Sequence, residues 1–101
     1  MSANVLNFSE IEYCVRSLLN KYHAEYALLF GSYARGQANS NSDIDLVVFG
    51  GKNFHSTDIF AFAEDLQEFI NKDVDVYEIR EIDTGTQFYK NIINDGIKIA
   101  A

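Results

Sequence analysis

Apolar residues recur at helical spacing in three stretches of the chain, and the first of these covers residues 9–21. Its apolar stripe is made up of Ile11, Val15, Leu18 and Tyr22. Ser9 and Glu12 fit a capping box, in which each side chain bonds the backbone N–H of the other residue. The pattern therefore predicts a helix that begins at Ser9 and ends near Lys21.

Two further helices are predicted in the second half of the chain. A wide apolar face runs over 57–70, and a narrower one runs over 84 to about 94. Thr84 and Gln87 fit a second capping box at the start of the later helix. Gly96 lies where a C′ glycine should end it.

Strand-like patterns occupy most of the remaining sequence. Apolar runs at 25–30 and 43–49 and a strict alternation at 73–79 predict three strands, and 97–101 fits a short closing strand. Residues 34–41 are small and polar, which indicates a loop or a single helical turn. The order α-β-β-α-β-α(-β) indicates an α/β (α+β) protein with one sheet and flanking helices. We expect these helices mainly on one face, which would leave the other face for a partner.

Composition and charge exclude some classes of function. The 101 residues fit one domain over 1–101, and the formal net charge is −7 with only eight scattered Lys and Arg. Direct binding of duplex nucleic acid is therefore disfavoured. The chain has no apolar run long enough for a bilayer and no N-terminal signal pattern, so we expect no membrane partner and a cytoplasmic location. Cys14 is the one cysteine, which agrees with a reducing compartment.

Two carboxylates one residue apart are the first candidates for chemistry. In a strand over 43–49, Asp43 and Asp45 point to one side while Ile44, Leu46 and Val48 face the core. Like charges this close are costly on an apolar strand unless a cation neutralises them. Mg²⁺ or Mn²⁺ is the natural choice, because both prefer oxygen ligands. On its own, however, such a pair in a chain with fifteen acidic residues would be read as two solvated side chains.

A glycine–serine turn upstream changes that weighting. Gly31 lets the backbone approach a ligand closely, and Ser32 adds a hydroxyl and N–H groups that can hold phosphate. Ten residues separate this pair from the two carboxylates, and the last of the ten is Ser42. Together the two motifs predict a site for a metal-bound nucleoside triphosphate. Arg35 is a candidate donor to a phosphate oxygen, and a solvated loop arginine is an equal alternative.

The two motifs resemble the signature of the DNA polymerase beta-like nucleotidyltransferase superfamily, which is a Gly-Ser pair, ten residues and then Asp-x-Asp. They are most similar to the minimal nucleotidyltransferase (MNT) family, whose members pair with HEPN-domain proteins in toxin–antitoxin modules. The matching residues are Gly31-Ser32-Tyr33-Ala34-Arg35-Gly36 and Ser42-Asp43-Ile44-Asp45-Leu46. The order of elements resembles that family over roughly the whole chain. The resemblance implies a mixed sheet flanked by helices.

The resemblance also implies a set of metal ligands. Asp43, Asp45 and a third carboxylate from a later strand would bind two Mg²⁺ ions and carry out catalysis. Asp75 is the expected third ligand, because apolar residues flank it on both sides. Asp73 lies on the same side of that strand and remains the competitor, although it reads as a solvated strand end.

The phosphate-binding residues implied by the resemblance come from the turn and the loop after it. Gly31 and Ser32 would hold the triphosphate of ATP, with Arg35 reaching a phosphate oxygen. Ser42 is grouped with them as a phosphate-binding candidate, and it is also expected to orient the first carboxylate or to cap the loop.

The implied activity is transfer of AMP from ATP to a tyrosine of a HEPN-domain toxin, so that the chain would act as an antitoxin. A lone domain of this size offers only a shallow cleft, so a helical partner, in a homo- or hetero-oligomer, is expected to hold the second substrate. Two alternatives stay open. One is a non-catalytic binding module that neutralises its partner by contact, and the other is a nucleotidyltransferase that modifies an antibiotic or another small molecule.

Overall fold

Helices pack against a mixed sheet in the computed structural model, which describes residues 6–101. Within this range the helices are α1 (Phe8–Lys21), α2 (Gly31–Ala34), α3 (Asp58–Ile70) and α4 (Gln87–Asp95), with a 3-10 turn at Ile79–Glu81. The strands are β1 (Tyr26–Phe30), β2 (Ile44–Phe49), β3 (Val74–Glu78) and β4 (Ile97–Ala100). The predicted order and the closing strand are confirmed. A single helical turn is present, but it lies at 31–34 instead of within 34–41.

The sheet of residues 6–101 has the strand order β3-β2-β1-β4. β1 pairs antiparallel with both β2 and β4, whereas β2 pairs parallel with β3. Parallel neighbours need a long crossover connection, which α3 provides here. The predicted mixed sheet is therefore confirmed, and the two strands expected to carry carboxylates lie side by side.

α1 begins one residue earlier than predicted, at Phe8, and its capping box is formed by Asn7 and Glu10. The Asn7 side chain accepts from the Glu10 N–H at 2.9 Å, and the Glu10 carboxylate accepts from the Asn7 N–H at 3.0 Å. Asparagine and serine are about equally good N-caps, so the sequence offered two boxes in succession. The prediction of Ser9 as the cap is wrong.

α4 begins at Gln87, three residues later than predicted. Thr86 is its N-cap, and the Thr86 Oγ1 accepts from the Tyr89 N–H at 3.2 Å. The predicted capping box that started at Thr84 is therefore wrong, because the preceding residues form a turn.

Gly96 ends α4 as predicted, but as the cap residue itself and with extended backbone (φ −66°, ψ 140°). A side chain at this position would overlap the carbonyl oxygen of Ile92 and press on Leu28 of β1. The glycine is thus explained by the close approach of α4 to the sheet.

α1 and α3 cover one face of the sheet and enclose the core. Six buried strand residues of that face belong to the core cluster: Ala27, Leu29, Ile44, Leu46, Val48 and Ile99. The predicted inward side of β2 is confirmed. The expectation of a free second face is wrong in part, because α4 packs there. The Phe88 ring meets the rings of Phe30 and Tyr77 edge-on, with centroids 5.6 and 5.5 Å apart.

No helix among residues 6–101 combines the length and the apolar character that crossing a bilayer requires. The expectation that the chain has no N-terminal signal pattern depends in part on residues 1–5, which lie outside the described residues.

Candidate active site

Two carboxylates lie side by side on the second face of the sheet. Asp45 of β2 is the register partner of Asp75 of β3, and neighbouring strands are about 4.8 Å apart. The two side chains are close enough for the charge of Asp75 to act on Asp45. Asp45 is partly buried, whereas Asp75 is exposed. The pair therefore faces a site that is open to solvent.

Burial is the largest reason why the pKa of Asp45 rises from 3.8 to about 6. The negative charge of Asp75, the hydrogen bond with Asp75 and the charge of Asp43 raise this pKa further, and the charge of Arg35 opposes the rise. Ionised Asp45 is thus costly in the protein alone, and a bound cation would remove that cost.

β1 leads directly into the turn at Gly31. This residue has a φ of 74°, which is left-handed and favours glycine. A Cβ at Gly31 would also overlap the Asp45 carboxylate. Phe30, the residue before the turn, provides no side-chain cap for the N–H groups that start α2. The turn therefore presents backbone donors beside a carboxylate, with glycine required at their closest point.

Asp43 lies just before β2, which corrects the strand predicted over 43–49, and it is exposed. The loop leading to it is closed by Asn39 and Ser42. The Ser42 N–H donates to the Asn39 carbonyl at 3.0 Å, and the Ser42 Oγ accepts from the Asn39 N–H at 2.9 Å. Ser42 thus caps the loop in front of Asp43, and its contact with phosphate stays a prediction.

Asp73 also lies outside the strand predicted for it, because β3 begins at Val74. Its carbonyl accepts from the Ile44 N–H at 3.1 Å, which joins the starts of β3 and β2. The residue directly opposite Asp45 is Asp75, not Asp73. The role of Asp75 as a metal ligand stays a prediction.

Arg35 and Ser32, the other predicted phosphate-binding residues, form hydrogen bonds within the loop that follows the Gly31 turn. Arg35 is exposed and donates from Nε to the Gln37 side-chain oxygen at 3.2 Å, and its charge still reaches Asp45. Ser32 is partly buried and accepts from the Gln37 N–H through its carbonyl at 2.9 Å. Cys14 is buried in the core, and burial raises the pKa of its thiol.

The donor chemistry of the site fits a hard divalent cation. Asp45 and Asp75 offer paired carboxylate oxygens, which Mg²⁺ and Mn²⁺ prefer, and the charge of Arg35 offsets their mutual repulsion only in part. Among residues 6–101, no three His, Cys, Asp or Glu side chains already surround a common point. Asp43 is exposed and next in sequence to β2, so it is the side chain that would turn to complete the set.

An aromatic cluster borders the carboxylate pair. Phe30 is the register partner of Asp45, and Tyr77 lies two residues beyond Asp75 on the same face of the sheet. Burial is the main cause of a raised pKa of Tyr77, and the charges of Asp75 and Asp45 add to it, so its hydroxyl is neutral at pH 7. The position of Tyr77 two residues after Asp75 on a predicted strand was the available signal for its place beside the site.

Sequence reasoning gave no role to Lys72. Its side chain is only 9% exposed, and it donates two hydrogen bonds into the loop that precedes Asp43. A lysine between Asn71 and Asp73, at the polar end of an amphipathic helix, carries no pattern that indicates burial.

Residues 14–101 match the family described as Polymerase beta, Nucleotidyltransferase. The match covers most of the chain, which therefore belongs to this family and contains a nucleotidyltransferase domain. The resemblance found in the sequence is confirmed, and so is the fold it implied.

Two relatives of this chain are named as protein adenylyltransferases. The chain is 34% identical over 77 residues to a protein of Methanocaldococcus jannaschii that is provisionally named a protein adenylyltransferase. The aligned part covers 76% of this chain and 83% of the relative. It is 32% identical over 79 residues to the protein adenylyltransferase MntA of Shewanella oneidensis, which covers 78% of this chain. The aligned part is 55% of MntA, so the chain spans about half the length of that protein.

A solved structure of similar fold is a toxin–antitoxin complex crystallised with AMP-PNP. It superimposes with a TM-score of 0.74 at 26% sequence identity, over 87% of this chain and 71% of the other.

Proposed function

We propose that this protein transfers AMP from ATP to a HEPN-domain toxin and thereby acts as its antitoxin. The observation that carries the proposal is the pairing of Asp45 and Asp75 beside the Gly31 turn. Membership of the nucleotidyltransferase family and the names of the two relatives support it. We further propose that residues 1–101 act as one domain and work in the cytoplasm.

Asp43, Asp45 and Asp75 would hold two Mg²⁺ ions, which Mn²⁺ could replace. When bound, the ions supply positive charge for the triphosphate and align the attacking and leaving oxygens. Asp45 is suited to such a place because its own surroundings disfavour its negative charge. Asp43 and Asp75 are exposed and can reach ions on the open side.

The Gly31 turn would bind the terminal phosphates of ATP. Its backbone N–H groups and the hydroxyl of the small Ser32 side chain are hydrogen-bond donors that an anion can approach closely. Arg35 would add a charge-assisted hydrogen bond to a phosphate oxygen, and Ser42 would support the loop beside it. This set supplies donors to a chain that is otherwise strongly acidic.

Asp75 would accept the proton of the attacking hydroxyl. The acceptor oxygen bonds to the α-phosphorus of ATP, the bond to pyrophosphate breaks, and the hydroxyl proton passes to the carboxylate. Asp75 is exposed where Asp45 is partly buried, so an acceptor can approach it from solvent.

A tyrosine of the HEPN-domain partner would be the acceptor. A cleft of about 410 Å³ adjoins Asp43, but neither Asp45 nor Asp75 lines it. The carboxylate pair therefore needs further walls to hold a second substrate, and a partner protein or a second copy of the chain can provide them. The net charge of −7 favours a protein acceptor over duplex nucleic acid.

The test is transfer of label from α-labelled ATP, with Mg²⁺, to the HEPN-domain protein proposed as the partner of this chain. We expect label on the partner with the wild type and with Glu64→Gln, which alters an exposed residue of α3. We expect none with Asp45→Asn. Absence of label with the wild type would contradict the proposal. If Asp45→Asn neutralises the toxin as well as the wild type, contact alone is the mechanism. Label on an antibiotic without any partner would favour the small-molecule alternative.

A further inference from the structure

Lys72 is a nearly buried cation next to the candidate metal ligands. Its Nζ donates to the carbonyl of Ser40 at 2.9 Å and to the carbonyl of Ser42 at 3.3 Å. A buried ammonium group is costly unless its N–H groups are bonded, and an apolar side chain here would avoid that cost altogether. The lysine therefore needs an explanation beyond filling space.

The connection before β3 holds the chain on both sides of Asp43. Lys72 bonds the carbonyl just before Asp43, and the carbonyl of Asp73 accepts from the N–H of Ile44 just after it. The backbone at Asp43 is thus fixed, although its side chain is exposed. Asn71 ends α3 in a left-handed conformation (φ 54°, ψ 45°), directly before Lys72 enters this connection.

The bonds also join the two segments that must meet at the site. Asp43 and β2 come from one part of the chain, whereas Lys72 lies three residues before Asp75. These bonds therefore tie the loop before Asp43 to the start of the segment that carries Asp75, which pairs with Asp45.

We propose that Lys72 is a positioning residue that holds Asp43 where it can share a divalent cation with Asp45 and Asp75. This inference rests on the metal site of the proposed function. Charge alone predicts the opposite effect, because a positive side chain near a cation site weakens cation binding. Loss of Lys72 should weaken cation binding if the lysine positions Asp43, and should strengthen it if the lysine acts only through its charge.

The experiment compares Mn²⁺ binding by the full chain and by Lys72→Met, measured from the electron paramagnetic resonance of free Mn²⁺. Methionine is an unbranched side chain one atom shorter than lysine, and it removes the charge and the donors. We expect binding about five- to tenfold weaker, which corresponds to the loss of a well-placed hydrogen-bond clamp. Unchanged or tighter Mn²⁺ binding overturns the proposal. Tighter binding would mean that Lys72 acts only through its charge, and unchanged binding would mean that it has no effect on the site.

Two controls separate positioning from general loosening of the fold. Lys52→Met removes an exposed lysine of the loop after β2 and should bind Mn²⁺ as the wild type does. Tyr22→Phe removes a hydrogen bond to Asp65 between α1 and α3, away from the carboxylates. If Tyr22→Phe weakens Mn²⁺ binding as much as Lys72→Met does, the effect is not specific and the proposal is overturned.

Hydrogen exchange gives a reading that does not depend on the metal. In Lys72→Met without Mn²⁺, we expect the Ile44 amide to exchange at least tenfold faster, while core amides of α1 keep their protection. Unchanged exchange at Ile44 overturns the clamp. If the wild type itself fails to bind Mn²⁺, the metal site of the proposed function fails with it. That result is distinct from equal binding by the two proteins, which overturns only the role of Lys72.

Discussion

At the scale of single residues, Gly31 is held by two constraints that are independent of each other. Its backbone is left-handed, and its Cα faces the Asp45 carboxylate with no room for a methyl group. Gly31→Ala should cost about 1–2 kcal/mol of stability from the backbone alone and should also displace Asp45. We expect AMP transfer to fall below detection, measured with labelled ATP, and the melting temperature to drop.

Gly36 provides the matched control for that substitution. It has nearly the same φ, 70°, but a Cβ there would meet open space. Gly36→Ala should therefore show a similar loss of stability and keep most of the transfer activity. If both variants lose activity to the same extent, backbone strain and not the contact with Asp45 is the cause.

The raised pKa of Asp45 predicts how stability depends on pH. The folded protein holds this proton more tightly than the unfolded chain, so stability falls as pH rises from 3.8 to about 6. Asp45→Asn removes this ionisation. In the absence of metal we expect the variant to be more stable at pH 7.5 by about 1–2 kcal/mol, a value reduced for the partial exposure of Asp45.

Urea unfolding of both proteins between pH 4 and pH 8 measures this difference. The difference should be small at pH 4, where the folded carboxyl is neutral and the unfolded one is only about half ionised. At pH 7.5, Mg²⁺ should reduce the difference by stabilising the wild type and not Asp45→Asn. A constant difference at all pH values would mean that ionisation of Asp45 is not its source.

At the scale of elements, α1 and α3 are joined by a polar contact at the edge of the core. The Asp65 carboxylate accepts from the Lys21 ammonium at 2.8 Å and from the Tyr22 hydroxyl at 2.5 Å. The hydrogen bond from Lys21 is the main cause of the lowered pKa of Asp65, and the bond from Tyr22 adds to it. This stabilising contact is present at neutral pH and is lost as pH falls through that lowered pKa.

Asp65→Ala should therefore destabilise the protein by about 1 kcal/mol at pH 7, because two donors lose their acceptor. Urea unfolding checks this, with Glu64→Ala as the control on the neighbouring exposed position. AMP transfer should stay intact in both variants, since the contact lies on the face away from Asp45. An equal effect of the two substitutions would assign the loss to helix propensity.

The elements were predictable where their signals are local. The apolar stripe of α1 and the alternation of β3 depend on neighbouring residues, and both were placed to within one or two residues. The start of α1 was misplaced because two capping boxes overlap there. The packing of α4 on the second face could not be read in advance, since the contacts of Phe88 with Phe30 and Tyr77 join distant parts of the chain.

The same distinction applies to the site. The turn at Gly31 and the pair Asp43 and Asp45 form a compact motif, so sequence reasoning located them directly. The register that sets Asp75 opposite Asp45 is a property of the parallel pairing of β2 and β3. The hydrogen bonds of Lys72 could not be predicted from local sequence either, because their acceptors are remote in sequence.

At the scale of the whole molecule, a nucleotide should stabilise the fold only when a divalent metal ion is also present. A ligand at ten times its Kd adds about 1.4 kcal/mol to the stability of the folded state. For a domain of this size that corresponds to a rise in melting temperature of about 5–10 °C.

Differential scanning fluorimetry with Mg²⁺ and a non-hydrolysable ATP analogue measures this shift, and EDTA should reverse it. Asp45→Asn should show little or no shift, because it lacks one of the proposed ligands. A full shift in the presence of EDTA would indicate that the nucleotide binds without a cation.

The parallel pairing of β2 with β3 has a consequence for the newly made protein. During synthesis the ribosome releases the Gly31 turn and Asp45 well before Asp75, which must wait for the α3 crossover. A truncated or half-emerged polypeptide thus lacks one side of its carboxylate pair. Competence for chemistry should arise in a single late step, together with completion of the native topology.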